Sequence, residues 1–169
     1  MAPSAYIPQP LRQLVAERAE FRCEYCQLQQ ELCPETFEID HIIPRALGGQ
    51  TASDNLCYAC PVCNNAKRAH ITARDPHTGR RVRLFDPRRP CWNHHCRWSD
   101  DGGRALGETV IGRATVEALA MHRPRMVHMR LLFLRHHLRE CWIAHVGRGH
   151  DLHAVLVIVS LRCNHVKPH

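Results

Sequence analysis

The sequence predicts a small α+β fold in which a ββα unit is clasped by two cysteine pairs and flanked by helices. Three features carry this. The β-rich run "TFEIDHII" (residues 36–43) ends in the loop signal "PRALGG". A second short strand is expected near Asn55 and Leu56, then a turn and a helix through Lys67. C-x-x-C pairs stand before the first strand, at Cys23/Cys26, and at the start of the helix, at Cys60/Cys63.

In chain order, "PQPLRQLVAERAEF" (residues 8–21) predicts a short amphipathic helix, with Leu11, Leu14, Val15 and Ala19 at helical spacing after Pro10. The first cysteine pair follows, then the ββα unit. Beyond it, "DPHTGRRVRLFDPRRP" predicts a turn over 75–79, a brief strand over 82–85 and another turn. "GETVIGRATVEAL" leads into a helix with Val116, Leu119 and Ala120 on one face. Pro124 opens another, striped by Val127, Leu131, Leu134 and Leu138. These helices suit core packing or a lid. Residues 1–100 divide from a helical C-terminal extension over 101–169, which is hard to assign after 140, and no internal repeat is present.

A chain of 169 residues buries one modest core, with or without a small appendage. The first residues lack the basic and apolar regions of a signal peptide, and the longest aliphatic run, "AVLVIVSL" (residues 154–161), is too short to span a bilayer. A soluble, cytoplasmic protein is expected, with no membrane partner. In a reducing compartment, ten cysteines favour metal ligands and buried thiols over disulfides.

Charge points to the partner. Between Lys67 and Arg97, nine basic residues face only Asp75 and Asp86, so this segment holds the whole net charge of +7. The chain has 21 Arg and two Lys, which compositional bias toward Arg explains, but bias does not explain the clustering. Guanidinium forks suit phosphate oxygens, so a polyanion is expected. Arg80, Arg81, Arg88 and Arg89 are candidate nucleic-acid contacts, with Lys67, Arg68 and Arg45 nearer the ββα unit.

Two C-x-x-C pairs can complete a tetrahedral thiolate site for Zn2+. The 33 residues between them exceed the usual spacer and must form their own structure, which the predicted strands supply. Four thiolates leave no open position, so Cys23, Cys26, Cys60 and Cys63 predict a structural ion rather than a catalytic one. Cys33, Cys57, Cys91, Cys96, Cys141 and Cys163 are best read as ordinary thiols, although Cys91, His94, His95 and Cys96 could make a crowded second site.

The order Asp40-His41, Pro44, Gly48-Gly49, Asn55-Leu56, Cys60-x-x-Cys63-Asn64 and Lys67 resembles the HNH endonucleases with a ββα-metal fold and paired zinc knuckles. The resemblance covers residues 20 to about 70. "LFDPRR", "RWSDDG" and "GRATVEAL" are more weakly similar to the tail of a bacterial subgroup. It implies hydrolysis of DNA phosphodiester bonds, with His41 as general base, Asp40 and Asn64 holding one divalent ion, and Asn55 pinning the hairpin loop. Asn64 stands where other members carry the second His. Oxygen ligands suit a hard ion such as Mg2+ or Mn2+. Residues 1–100 are then a nuclease domain with zinc knuckles and a basic extension. Two other readings stand beside this one: a zinc-stabilised nucleic-acid-binding module without cleavage, and a redox-sensing thiol protein, which needs exposed cysteines of low pKa.

Overall fold

A computed structural model describes residues 6–89 and 91–145, with side chains in the last helix described to residue 135. The run over 154–161 and Cys163 lie outside the described residues, as do the side chains of Leu138 and Cys141. The fold is α+β, with three separate two-stranded antiparallel sheets among helices. No helix among the described residues is long and apolar enough to cross a membrane.

Helix α1 (Gln9–Arg18) has Pro10 in its first turn, where no amide hydrogen is needed. It packs on the first hairpin and buries Val15 and the following Ala19, with Leu11 partly covered. Leu14, expected on that face, is 51 % exposed, because a helix this short buries only a narrow stripe. The Arg18 guanidinium donates to the carbonyls of Ser53 and Leu56 at 2.9 and 2.8 Å, fixing the helix end to the base of the hairpin loop.

Strands β1 (Glu38–His41) and β2 (Leu56–Ala59) pair in the register Asp40 opposite Cys57 and His41 opposite Leu56. Of the expected pair only Leu56 is in the strand, since Asn55 ends a 3-10 turn over Ser53–Asn55, and the strand runs on through the buried Cys57, Tyr58 and Ala59. Helix α2 (Pro61–Lys67) begins directly after it, without an intervening turn: Cys60 is the N-cap, its sulfur accepting from the Cys63 amide at 3.4 Å, and Pro61 follows. Together they make the predicted ββα unit.

The next sheet was only half visible in the sequence. Strand β3 (Thr72–Arg74) pairs with β4 (Arg81–Arg83), so the expected strand over 82–85 starts one residue earlier and has a partner. Each is three residues long, and only Ala73 and Val82 face inward, too short an alternation to detect. The turn over 75–79 is as expected, closed by the Gly79 amide on the Asp75 carbonyl at 2.8 Å. Helix α3 (Trp92–His95) and strands β5 (Cys96–Trp98) and β6 (Ala105–Gly107) were not anticipated; Trp92 and Trp98 stack with centroids 4.9 Å apart.

Helix α4 (Val110–Ala118) is capped by Thr109, whose hydroxyl accepts from the Gly112 amide at 3.0 Å. It lies against β3, β4 and β6, with Val116 and the following Leu119 buried as predicted. Helix α5 (Pro124–His145) opens at Pro124, and its Val127, Leu131 and Leu134 pack on Gly102 and Gly103, where any Cβ would collide with them.

The brace between α4 and the second hairpin is ionic. Asp75 is wholly buried and takes Arg113 through both carboxylate oxygens at 2.8 and 2.9 Å, with the Thr78 hydroxyl at 2.7 Å. Arg113 thereby holds the Asp75 carboxyl well below the usual carboxylate range. A depressed folded-state pKa means stability that is present above the unfolded value of about 4 and lost as pH falls through the folded one. Asp75→Asn is therefore expected to melt earlier than the parent by a gap that is constant between about pH 8 and 5 and narrows below about pH 4. Thermal melts across that range measure it, and a gap that failed to narrow would place the stabilisation elsewhere.

Candidate functional site

Cys23, Cys26, Cys60 and Cys63 converge as the sequence spacing predicts, all buried, with their sulfurs within 4.8 Å of one another. Cys26 and Cys60 are 3.7 Å apart, close to the ~3.8 Å that two sulfurs adopt around a tetrahedral zinc with bonds of about 2.3 Å. Within each pair, the second cysteine's amide points at the first sulfur, at 3.5 Å for Cys26 on Cys23 and 3.4 Å for Cys63 on Cys60. Hydrogen bonds from the neighbouring thiols, Cys23 first, hold Cys26 well below the ordinary thiol value, and the Arg130 guanidinium adds to the effect. Among the described residues this is the only group of three or more His, Cys, Asp and Glu side chains close enough together to hold an ion. Cys91, His94, His95 and Cys96 form no second one.

Cys33, Cys57 and Cys96 are not activated. Burial pushes Cys57 well up, Cys96 up to about 12 and Cys33 up to about 11. Redox sensing through these three is disfavoured, since it needs thiolates.

Strand β1 sorts its chemistry by face, as alternation requires. Glu38 and Asp40 project toward α2 and the first cysteine knuckle. Asp40 is nearly buried, its Oδ2 receiving Lys67 Nζ at 2.9 Å and the Tyr25 hydroxyl at 3.0 Å, with Cys57 opposite. Burial raises its carboxyl above the ordinary range, opposed by Lys67 and Tyr25. Asn64, on α2, donates its amide to Glu38 Oε2. Asp40 and Asn64 are thus both on the α2 side of the strand, and Glu38 stands with them. This donor set is all oxygen, which fits a hard divalent ion rather than zinc.

His41 takes the other face. Its Nε2 lies 3.0 Å from the Thr51 hydroxyl, and the ring is half-buried. Burial lowers its pKa below the ordinary imidazole value, helped by Arg45 and Lys67 and opposed by Asp40. Asn55 closes the loop beside it. The Asn55 side chain accepts the Ile43 amide at 2.9 Å and donates to the carbonyls of Ile43 and Gln50 at 3.0 and 2.8 Å, while its backbone carbonyl accepts the Ile42 amide at 2.9 Å. A Cβ on Gly49 would sit 1.7 Å from the Ile43 carbonyl oxygen, so only glycine lets the two loop arms approach.

The basic candidates separate into two groups. Lys67 is 2 % exposed, and besides Asp40 its ammonium donates to the His41 carbonyl at 2.9 Å, so it faces inward rather than toward a phosphate. Arg88 is mostly covered and pairs with Glu24; Arg89 is exposed and pairs with Asp86 at 3.3 Å. Arg68, Arg80 and Arg81 are exposed.

Glu38, Thr51 and Tyr25 were not singled out in the sequence. Glu38 had a signal, since it precedes Asp40 by two residues in a strand and must share its face. Thr51 and Tyr25 had none, because their contacts depend on how the loop and the knuckle fold back.

No curated protein and no solved structure matches the chain. Residues 23–70 match a family model, that of the HNH endonucleases, and the match runs from the first knuckle cysteine through both strands to just past α2. The ββα unit and its cysteine clasp are therefore an HNH domain.

Proposed function

We propose that the protein is a metal-dependent endonuclease that hydrolyses DNA phosphodiester bonds, with His41 as general base. The observation that carries this reading is the placement of a half-buried imidazole, anchored to Thr51, at the end of a strand whose opposite face holds Asp40, Glu38 and the Asn64 amide. In the tautomer that donates Nε2–H to Thr51, the lone pair is on Nδ1, and burial, by lowering the pKa, favours the neutral ring that can accept a proton. His41 takes a proton from water; the water oxygen bonds to phosphorus, the bond to the 3′ oxygen breaks, and that oxygen is protonated from solvent.

Asp40 and Asn64, with Glu38 beside them, would hold Mg2+ or Mn2+, which neutralises charge on the phosphate and the departing oxygen. Lys67 acts one layer back. By gripping both Asp40 and the His41 carbonyl, it fixes the strand end where the two chemistries diverge. Asn55 does the same for the loop. The four cysteines would hold structural Zn2+, which would keep knuckle, strand and helix in register. The free thiols fit a cytoplasmic setting.

The principal test is nicking of supercoiled plasmid with and without added magnesium. His41→Ala is expected to lose about 10²- to 10⁴-fold in rate while zinc content and duplex binding are retained. In the parent, the rate should rise with pH and level off through a transition below about 6.5, because the base is idle when protonated. A His41→Ala protein nicking at the parental rate would remove the assignment. Zinc and DNA binding without nicking in the parent would favour a non-cleaving module instead.

A second test concerns the clasp. Structural zinc sites contribute apparent binding energies of about 10–16 kcal/mol, comparable to the ~5–15 kcal/mol total stability of a domain. Cys60→Ser should therefore lose bound zinc, melt far earlier and nick poorly. Cys57→Ser, which changes a buried thiol outside the cluster, should keep its zinc. Metal analysis and thermal melts of the two variants decide it.

A further inference from the structure

The β3–β4 hairpin is a two-stranded ribbon with unlike faces. Registers Thr72 opposite Arg83 and Arg74 opposite Arg81 place these four side chains on one face, and Ala73 opposite Val82 on the other. The apolar face lies toward α4, with which both strands pack. The other presents Arg74, Arg81 and Arg83, all exposed, and Arg80 adjoins them at the turn.

This arrangement opposes its own stability. Like charges directly opposite across a strand pair are destabilising, yet Arg74 and Arg81 occupy such a pair. Among the described residues their guanidiniums meet neutral partners, the Gly79 carbonyl at 3.0 Å for Arg74 and the Thr72 hydroxyl at 3.2 Å for Arg81. Among the described residues no carboxylate pairs with Arg74, Arg80, Arg81 or Arg83, and the nearest acid in sequence, Asp75, is buried and taken by Arg113. The hairpin is nevertheless rigidly braced, by that ion pair, by the Leu84 amide on the Ile71 carbonyl at 3.0 Å, and by the Phe85 amide on the Thr115 hydroxyl at 2.8 Å. A braced platform of unpaired guanidiniums is suited to an external polyanion.

We propose that the Arg-bearing face of the β3–β4 ribbon docks on duplex DNA, its arginines meeting phosphates along a groove of the same molecule that enters the His41 site. The proposal rests on the nuclease reading and adds to it the surface that holds the substrate. A two-stranded ribbon fits the major groove of B-DNA, which is about 12 Å wide. Thr72 follows Lys67 by five residues, at most about 18 Å of chain and roughly five base pairs of duplex, and Lys67 touches the His41 carbonyl. The separation is thus within the span of one short duplex. The docking assigns DNA contact to Arg74 and Arg83, which the sequence reading left out, and not to Arg88, whose charge is met by Glu24.

The test is the salt dependence of binding to a 20-base-pair duplex, without added divalent ion, for the parent and for R74Q/R81Q/R83Q. Each lost phosphate contact lowers the slope of log K against log[salt] by about 0.9, so the triple variant should lose about 2.7 from it, with zinc content unchanged and melting no earlier than the parent's, since the opposed Arg74 and Arg81 charges are gone. R83Q alone should lose about 0.9, which keeps the test intact if the triple variant folds poorly. Arg97→Gln, whose guanidinium is already paired with Glu108, should leave the slope alone. A parental slope in both ribbon variants overturns the docking while the nuclease reading stands on plasmid nicking. Tighter, ribbon-dependent binding to an A-form RNA duplex would overturn DNA as the occupant. A parent that neither binds nor nicks DNA would overturn both readings.

Discussion

Four sulfurs in one pocket are the constraint on which the rest of this molecule depends. None of the three sheets among the described residues has more than two strands, and a lone hairpin is at best marginally stable in water. What makes the first hairpin a platform is that the loop before it and the helix after it end in the same cluster, so its outer ends cannot drift apart. Tyr25 sits between two of those cysteines, and its hydroxyl reaches Asp40 at 3.0 Å while its carbonyl receives the Trp92 indole at 2.8 Å. The clasp thus transmits its rigidity both inward to the site and outward to the following segment.

Strand alternation then divides the labour. Adjacent residues Asp40 and His41 must point to opposite sides, so an acid and a base one peptide apart never compete for the same partner. Lys67 bonds both the Asp40 side chain and the His41 backbone, which ties the two faces to one helix end. A buried ammonium beside a buried carboxylate is not primarily a source of stability, since desolvation opposes much of the attraction. Its effect is orientation, because either partner alone would be an unpaired charge.

Much of this could be read from residue types whose chemistry leaves few uses. Paired cysteines, the Asp-His step, the Gly pair and Asn55 each demand a particular backbone, and the hairpin, its loop and α2 follow from them. The tail resisted reading where elements are three residues long, as in β3 to β6, because an alternation needs more positions to stand out. Burial of charge was equally hidden: Lys67 and Arg88 look like surface bases in a basic run, and only folding brings Asp40 and Glu24 to them. Thr51 and Tyr25 are ordinary residues made relevant by position alone.

Arg130 gives the molecule a sequence in time. Its guanidinium, 5 % exposed, donates to the carbonyls of Cys26, Gly103 and Met121 and lies over the Trp98 ring at 5.3 Å. The bond to Cys26 joins positions 104 residues apart, so during synthesis it cannot form until Arg130 has been added. At roughly 5–20 residues per second, a ribosome takes about 5–20 s to travel that distance. For that interval the nascent knuckle must stand without its outer cover, with the Cys26 carbonyl open to water or to another chain. The helix that seals it arrives afterwards.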